Sequence, residues 1–179
     1  MKKQPDITDK TRQAFIDVFC ELYCQKPIEK ISVQEVANKS GYNRSTFYQY
    51  FSDIYELLSY VENDVLDYLT RAAQKKTGSI QDIISLYEAK GAYLDALLGD
   101  YGNNRFIEQL KIRIPAEEQL IGLSEENILT PYLMEFHIST TLSMFRLWHR
   151  RKKDLTTEKL LELIICLYTT GVSSIVNQS

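Results

Sequence analysis

The sequence predicts an all-α protein, and three observations lead to this fold class. The 179 residues contain only 7 Gly and 4 Pro, about half of the usual combined share. Apolar residues recur at spacings of three and four along most of the chain, as on one face of a helix. Residues that cap helix ends precede several of these stretches. A chain with so few turn-forming residues is a poor candidate for a many-stranded β sandwich or barrel.

The bulk composition is that of a globular protein. Hydrophobic residues make up 44% and charged residues 25% of the chain. Three Cys and an N-terminus without an apolar segment predict a cytoplasmic protein with no membrane partner. The formal charge of −3 argues by itself against a nucleic-acid partner, but it is unevenly spread. Residues 1–53 hold 8 basic and 7 acidic side chains, whereas the remainder holds 13 and 17.

The first two predicted helices are separated by a proline. Helical spacing of apolar residues predicts a helix over 8–24, and Pro27 lies just past its end. Ser32 and Glu35 then form a capping box, in which each side chain accepts a hydrogen bond from the other residue's backbone N–H. A short second helix is expected from there to about residue 40.

A third short helix follows a glycine turn. Gly41 stands where a left-handed residue ends a helix, and Asn43 is placed to cap the next helix. That helix is predicted from Arg44 to about Phe51. Phe47 and Phe51 are four residues apart and share its core-facing side.

A long helix and a domain boundary come next. Asp53 and Glu56 form a second capping box, and an apolar stripe predicts a helix from there to about residue 76. The run Thr77-Gly78-Ser79 is the best boundary. We therefore expect a helix-turn-helix domain over 1–52, a connecting helix over 53–76 and a second domain over 77–179.

Five helical segments are predicted in the second domain. The first three cover roughly 80–90, 92–98 and 103–123. Pro131, in the favoured first position, begins a helix that reaches about residue 151. Thr156 caps the last helix, which reaches about residue 176.

These last two helices predict a homodimer. No formal charge occurs between Glu135 and Arg146, and the final helix is apolar around nearly its whole circumference. Such a helix must be buried all round, which a body of this size achieves most simply when a second copy completes a four-helix bundle. A single central helix inside the monomer is the alternative. The predicted interface comprises Phe136, Thr140, Leu147, Leu160, Ile164, Leu167 and Tyr168.

The two short helices joined through Gly41 have the pattern of a DNA-binding helix-turn-helix. Arg44 suits bidentate pairing with guanine, and Gln49 suits adenine. The hydroxyls of Ser45 and Thr46 can bond to bases or phosphates. An ordinary helical hairpin with solvated polar side chains is the alternative explanation of the same spacing.

The stretches 31–37 (ISVQEVA) and 41–51 (GYNRSTFYQYF) closely resemble the tetracycline-repressor-like (TetR/AcrR) transcription regulators. This resemblance covers residues 8 to about 58. It implies a homodimer on a palindromic operator of double-stranded DNA, acting usually as a repressor and released by an effector that binds the C-terminal domain. By position it implies DNA contacts from Ser32, Val33, Asn43, Arg44, Ser45, Thr46, Tyr48 and Tyr50, to which the major-groove argument adds Gln49.

One position departs from the family pattern. The family often has a Lys where this chain has Ile54, at the start of the fourth helix. We therefore expect a phosphate contact to be missing, and non-specific binding to be weaker or less salt-dependent.

The effector is not identified by the sequence. Aromatic residues of the second domain could line an apolar pocket, and the candidates are Tyr87, Tyr93, Phe106 and Trp148. Residues 93–99 and 106–108 resemble a short C-terminal domain type that includes regulators of dihydroxyacetone utilisation, some of which work through a protein co-regulator. Two alternatives therefore stay open: control by a docking protein, and an interaction protein whose helix-turn-helix no longer binds DNA.

Neither catalysis nor metal binding is expected. The sequence has no nucleophile–base set, no glycine-rich phosphate loop and no paired-carboxylate motif. Cys20 and Cys24 share a helix face without a nearby His, which favours core packing over metal ligation. We therefore predict a non-enzyme with no cofactor.

Overall fold

The computed structural model describes residues 5–74, 80–113 and 127–176. Within these ranges the regular structure is entirely helical, which confirms the predicted fold class. The α-helices are α1 (Pro5–Tyr23), α2 (Val33–Lys39), α3 (Arg44–Phe47), α4 (Ile54–Gln74), α5 (Ile80–Leu98), α6 (Asn104–Arg113), α7 (Thr130–Arg150) and α8 (Thr157–Val176), with a 3-10 turn at Ile28–Lys30.

The helix caps form largely as predicted. The Ser32 hydroxyl accepts from the backbone N–H of Glu35 at 3.2 Å, at the start of α2. The reciprocal half of this capping box is absent, because the Glu35 carboxylate instead accepts from Lys26 Nζ at 2.7 and 2.6 Å. An ammonium partner makes a stronger, charge-assisted hydrogen bond than a backbone amide does.

The third helix is shorter than predicted. It ends at Phe47, and residues 48–50 form a turn instead of continuing the helix to Phe51. Both phenylalanines are nonetheless buried, as expected. Asp53 then caps α4 by accepting from the backbone N–H of Glu56 at 2.8 Å, while the Glu56 carboxylate reaches the N–H of Ser52.

The break predicted in the second domain appears as a kink. The segments expected at 80–90 and 92–98 form one helix, α5, whose backbone leaves helical geometry at Lys90 with φ −131° and ψ 17°. The segment predicted at 103–123 appears as α6, and its part beyond residue 113 lies outside the described residues. The Thr77-Gly78-Ser79 boundary lies outside them as well.

The chain divides into two compact units that are not contiguous in sequence. One unit comprises Met1–Tyr68 with Lys90–Phe106, and the other comprises Leu69–Ala89 with Ile107–Ser179. The first unit has a core of apolar side chains from α1, α2, α3, α4 and the second half of α5. The second half of α5 therefore belongs to the same packed unit as the helix-turn-helix.

An aromatic cluster fills the core of the second unit. The rings of Tyr87 and Phe145 stack at 5.3 Å, and Trp148 meets the Tyr87 ring edge-on at 5.5 Å. The Trp148 indole N–H donates to the carbonyl of Leu155 at 2.9 Å. The last two helices, α7 and α8, pack against each other around this cluster.

Three of the predicted dimer residues lie in this protomer's own interior. Leu160, Ile164 and Tyr168 are buried in the second unit. A side chain that is already buried offers little further area to a partner, so these three are left out of the dimer surface proposed below. The exposed apolar residues of α8 are Leu163 and Leu167.

Within the described residues, none of the helices combines the length and the apolar character needed to cross a bilayer.

Candidate nucleic-acid interface

The turn between α2 and α3 is built around a left-handed glycine. Gly41 has φ +78°, as predicted for the residue that ends α2. The N–H of Tyr42 donates to the carbonyl of Ala37 at 2.9 Å, and the N–H of Gly41 donates to that of Asn38 at 3.2 Å. These two bonds define a Schellman motif, which satisfies carbonyls at the helix end and sets the direction of the following chain.

Aromatic rings around the buried Phe15 and Phe47 pack against this turn. The ring centroid of Phe15 in α1 lies 5.3 Å from that of Tyr42 and 5.3 Å from that of Phe47. The Tyr50 ring also packs on Phe15, with the centroids 5.9 Å apart. Phe15 and Phe47 are fully buried. Ring packing of this kind fixes the orientation of α3 relative to α1.

Asn43 organises the start of α3. Its side-chain oxygen accepts from the backbone N–H of Thr46 at 2.9 Å, which confirms the predicted cap. The same oxygen accepts from the hydroxyls of Ser45 at 2.6 Å and Thr46 at 2.9 Å. Three polar side chains at the head of α3 are thus held in one hydrogen-bonded group.

The predicted DNA contacts lie on the outer side of this assembly. None of the nine is buried, whereas neighbouring residues of the same helices, such as Val36, Ala37 and Phe47, form the core. The exposed members are Ser32, Asn43, Arg44, Ser45, Tyr48 and Gln49, and the half-buried members are Val33, Thr46 and Tyr50. The structure therefore leaves these residues at the surface of the first unit.

Arg44 and Tyr48 form a pair on this surface. Nη2 of Arg44 donates to the Tyr48 hydroxyl at 3.0 Å. The central carbon of the guanidinium lies 5.7 Å from the centroid of the Tyr48 ring, within the range of a cation–π contact. The hydrogen bond and the ring contact together restrain the guanidinium at the start of α3.

Arg12 adds a basic side chain that the sequence analysis missed. Its guanidinium lies 5.8 Å from the ring centroids of both Tyr50 and Tyr60, and it is 3.4 Å from the carboxylate of Asp9. No spacing rule of the helix-turn-helix points to a residue of α1. Arg12 comes to lie beside Tyr50 and Tyr60 only because α1 packs against the residues that follow α3.

Ile54 is buried at the start of α4. Its side chain packs into the core and offers no group for a phosphate, which agrees with the departure from the family pattern noted above. Lysines of this unit are partly engaged elsewhere, since Lys26 pairs with Glu35 and Lys39 lies 3.8 Å from Glu21.

The four aromatic residues predicted to line an effector pocket are divided between the units. Tyr93 and Phe106 belong to the first unit, where the Tyr93 hydroxyl accepts from the Gln13 amide at 2.9 Å. Tyr87 and Trp148 belong to the aromatic cluster of the second unit. The assignment of these residues to a pocket stays a prediction.

The two cysteines of α1 differ in environment. Cys20 is buried, and burial raises the pKa of its thiol, whereas Cys24 is exposed. A raised thiol pKa disfavours the thiolate that metal ligation and redox chemistry require.

Comparison with known proteins places the helix-turn-helix in a family. Residues 15–61 match the family model described as bacterial regulatory proteins, tetR family. An uncharacterized HTH-type transcriptional regulator from Haemophilus influenzae is 35% identical over 82 residues, which amount to 44% of this chain. The match spans 40% of that relative's own length.

Solved structures share the fold over nearly the whole chain. A TetR transcriptional regulator from Streptococcus agalactiae has a TM-score of 0.64 at 20% identity, over 91% of this chain and 96% of that one. The fatty acid degradation regulator FadR from Bacillus halodurans has a TM-score of 0.64 at 12% identity, over 94% and 96%. The family comprises DNA-binding transcription factors and not enzymes, which confirms that prediction. The helix-turn-helix segment of this chain, residues 15–61, is therefore of the kind found in the TetR family of bacterial regulatory proteins.

Proposed function

We propose that this protein is a homodimeric transcription regulator that binds a palindromic operator and acts as a repressor. The observation that carries the proposal is the set of exposed polar side chains on α3 and its flanking turns, mounted on a rigid aromatic core. A recognition helix lies in the major groove with its N-terminal residues at the base edges. Arg44, at the first position of α3, supplies donors suited to guanine.

The homodimer is proposed from exposed apolar residues on α7 and α8. Phe136 and Leu147 of α7 are 56% and 51% exposed, and Leu167 of α8 is 56% exposed. These three residues and the half-buried Thr140 are the members of the expected interface that the protomer does not bury. The exposed Leu163 of α8 is added to them. Exposed apolar side chains on adjacent helices are typical of a surface that another molecule covers.

The shape of α7 suits helix packing. Small side chains at Ser139, Thr140 and Ser143 line an open depression of about 340 Å³, beside Met144 and Leu147. A hollow flanked by larger apolar side chains accepts knobs from a facing helix. Two copies related by a two-fold axis would complete a four-helix bundle and present two recognition helices about 34 Å apart, in successive major grooves.

Control by an effector belongs to the same proposal. We assign residues 1–52 to DNA binding, 53–76 to a connecting helix, and 77–179 to dimerisation and effector binding, in the cytoplasm. The effector would favour a spacing of the two heads that no longer fits the operator, and operator DNA would weaken effector binding by the same factor.

The experiment is operator mapping on the DNA that flanks the protein's own gene, with wild type and Arg44→Ala. We expect a protected palindrome with wild type and at least tenfold weaker binding with the variant, because a bidentate Arg–guanine pair contributes about 1–3 kcal/mol in each half-site. Arg151→Ala is the matched control, since Arg151 is exposed in the second unit and pairs with Asp154. Equal binding by wild type and Arg44→Ala would remove α3 from the proposal.

A further inference from the structure

We propose that Tyr48 is a positioning residue that orients the Arg44 guanidinium for base recognition, so that selectivity for one guanine in each half-site depends on the Tyr48 hydroxyl. The proposal rests on the DNA binding proposed above and deepens it. It assigns sequence selectivity to a pair of side chains, where the resemblance implied only separate contacts to bases and phosphates.

The first step is the rigidity of Tyr48. Its ring meets the ring of Phe47 edge-on at 5.8 Å, and Phe47 is fully buried against Phe15. Although Tyr48 is 48% exposed, its ring therefore packs against a side chain of the core. A continuous series of aromatic contacts leads from α1 to the surface on which Arg44 rests.

The second step is the geometry of the pair. Arg44 and Tyr48 are four residues apart, the spacing that places side chains on the same side of a helical turn. The hydroxyl accepts one N–H of Arg44 at 3.0 Å, while the ring lies under the guanidinium at 5.7 Å. The hydrogen bond and the ring contact restrain different motions, since one sets the direction of the guanidinium edge and the other its plane.

The third step is the number of donors that remain. A guanidinium carries five N–H groups, and guanine presents two acceptors, O6 and N7, in the major groove. One N–H given to Tyr48 thus leaves enough donors for a bidentate pair. Because the Tyr48 hydroxyl acts as acceptor toward Arg44, its own proton stays available to a phosphate oxygen.

The consequence for recognition is a lower ordering cost. An exposed arginine samples many rotamers, and fixing one of them on binding reduces affinity. A guanidinium already held by Tyr48 loses less freedom with the correct base. It also adapts less readily to a wrong base, so that discrimination between base pairs increases.

The test uses the full-length protein and duplex DNA. Wild type first selects its preferred sites from a random duplex pool. The Kd is then measured for the selected site and for the same site with the preferred G·C pair changed in one half-site. The ratio of the Kd for the changed site to the Kd for the selected site measures selectivity. We expect Tyr48→Phe, which keeps the ring, to lower the ratio of the two Kd values about two- to tenfold, the factor that one net hydrogen bond contributes. Arg44→Lys, which loses both the planar fork and the stacking, should abolish the preference at that pair.

The controls separate positioning from folding and from phosphate binding. Tyr101→Phe removes the hydroxyl of another exposed tyrosine, in the segment between α5 and α6, and should leave the ratio unchanged. Thermal unfolding should be the same for all three variants as for wild type, because the altered side chains are exposed.

Several outcomes would overturn the proposal. An unchanged ratio for Tyr48→Phe, with both Kd values raised equally, would make Tyr48 a phosphate contact only. A larger ratio would mean that Tyr48 restrains Arg44 away from the base. Wild type that selects no sequence from the pool would overturn the proposed function itself and this inference with it, an outcome distinct from the other two.

Discussion

At the residue scale, the helix-turn-helix depends on a single backbone conformation at Gly41. Its φ of +78° lies in the left-handed region, which L-residues with a Cβ rarely adopt. A Cβ added there would meet no atom within 4 Å. Any cost of a larger residue would therefore come from the backbone and not from a steric clash.

Gly41→Ala should lower the free energy of unfolding by about 1 kcal/mol, the usual cost of the left-handed conformation for a residue with a Cβ. Gly41→Asn should lose less, because asparagine tolerates this conformation. Urea unfolding of the two variants beside wild type measures the difference. Equal stability of all three would show that the turn does not depend on glycine.

Glu62 is a buried carboxyl group in the first unit. It accepts from the Asn103 amide at 2.9 Å, and burial raises the pKa of its carboxyl group above the ordinary 4.5. At pH values well below 4.5 the carboxyl group is protonated in both the folded and the unfolded chain. As the pH rises, the unfolded chain loses its proton first, so the contribution of Glu62 to folding stability falls.

Glu62→Gln should therefore raise the melting temperature at pH 7, with a difference that shrinks as the pH falls to 4. Glutamine keeps the accepting oxygen but removes the buried charge. The contrasting variant is Asn103→Ala, which removes the donor and also the cap that Asn103 provides to Phe106 at the start of α6. It should cost about 1–3 kcal/mol. Thermal unfolding of both variants and wild type between pH 4 and pH 7 measures these effects. A difference in melting temperature between Glu62→Gln and wild type that stays constant with pH would contradict the raised pKa.

At the element scale, α2 and α7 end in the same motif with different residues. The N–H of Lys153 donates to the carbonyl of Trp148 and that of Lys152 to His149, both at 2.9 Å. Lys152, with φ 59°, occupies the position that Gly41 occupies after α2. Lys153, at φ 57°, extends its ammonium to 5.4 Å from the Trp148 ring. The backbone of the basic run at the end of α7 thus makes the turn that ends this helix.

Lys152→Gly should raise the free energy of unfolding by about 1 kcal/mol, because glycine adopts the left-handed conformation without a Cβ penalty. Lys152→Ala is the matched control, since it removes the same charge but keeps the Cβ. Chemical denaturation of both variants separates the two effects. If both gained equally, charge and not backbone strain would be the cause.

At the scale of the whole molecule, assembly depends on the faces that α7 and α8 leave exposed. Leu163 and Leu167 on α8 and Phe136 on α7 are apolar and solvent-accessible in the single chain. A second copy is the proposed cover. This choice links the oligomeric state to DNA binding, since two tethered recognition helices bind a palindrome far more tightly than one does.

Leu167→Glu should raise the dimer dissociation constant at least tenfold, because a carboxylate without a partner is costly to bury. Ile112→Glu is the control, since Ile112 of α6 is 82% exposed and outside the proposed interface. Sedimentation analysis gives the oligomeric state, and operator binding of Leu167→Glu should weaken in parallel. A wild-type protein that sediments as a monomer would contradict the proposed assembly.

Local features of the fold could be predicted because their causes lie within a few residues. Ser32, Gly41 and Asn43 act on backbone groups no more than three or four positions away, so their caps and turn follow from sequence alone. Burial of the two core phenylalanines was also predicted, although Phe51 lies beyond the end of α3 and packs from the turn that follows it. The exposed side of α3 follows from them, because outward positions are those that the core positions exclude.

The sequence by itself determined the helical fold class, the caps and the helix-turn-helix residues. Only the tertiary structure decided which side of the all-round apolar α8 turns inward, placing Leu160 and Ile164 in the protomer and leaving Leu167 outside. It also brought Arg12 beside Tyr50 and joined the second half of α5 to the first unit. The physical reason is the same in each case: periodicity reports that a face is apolar, but the partner of that face is chosen by packing between distant parts of the chain.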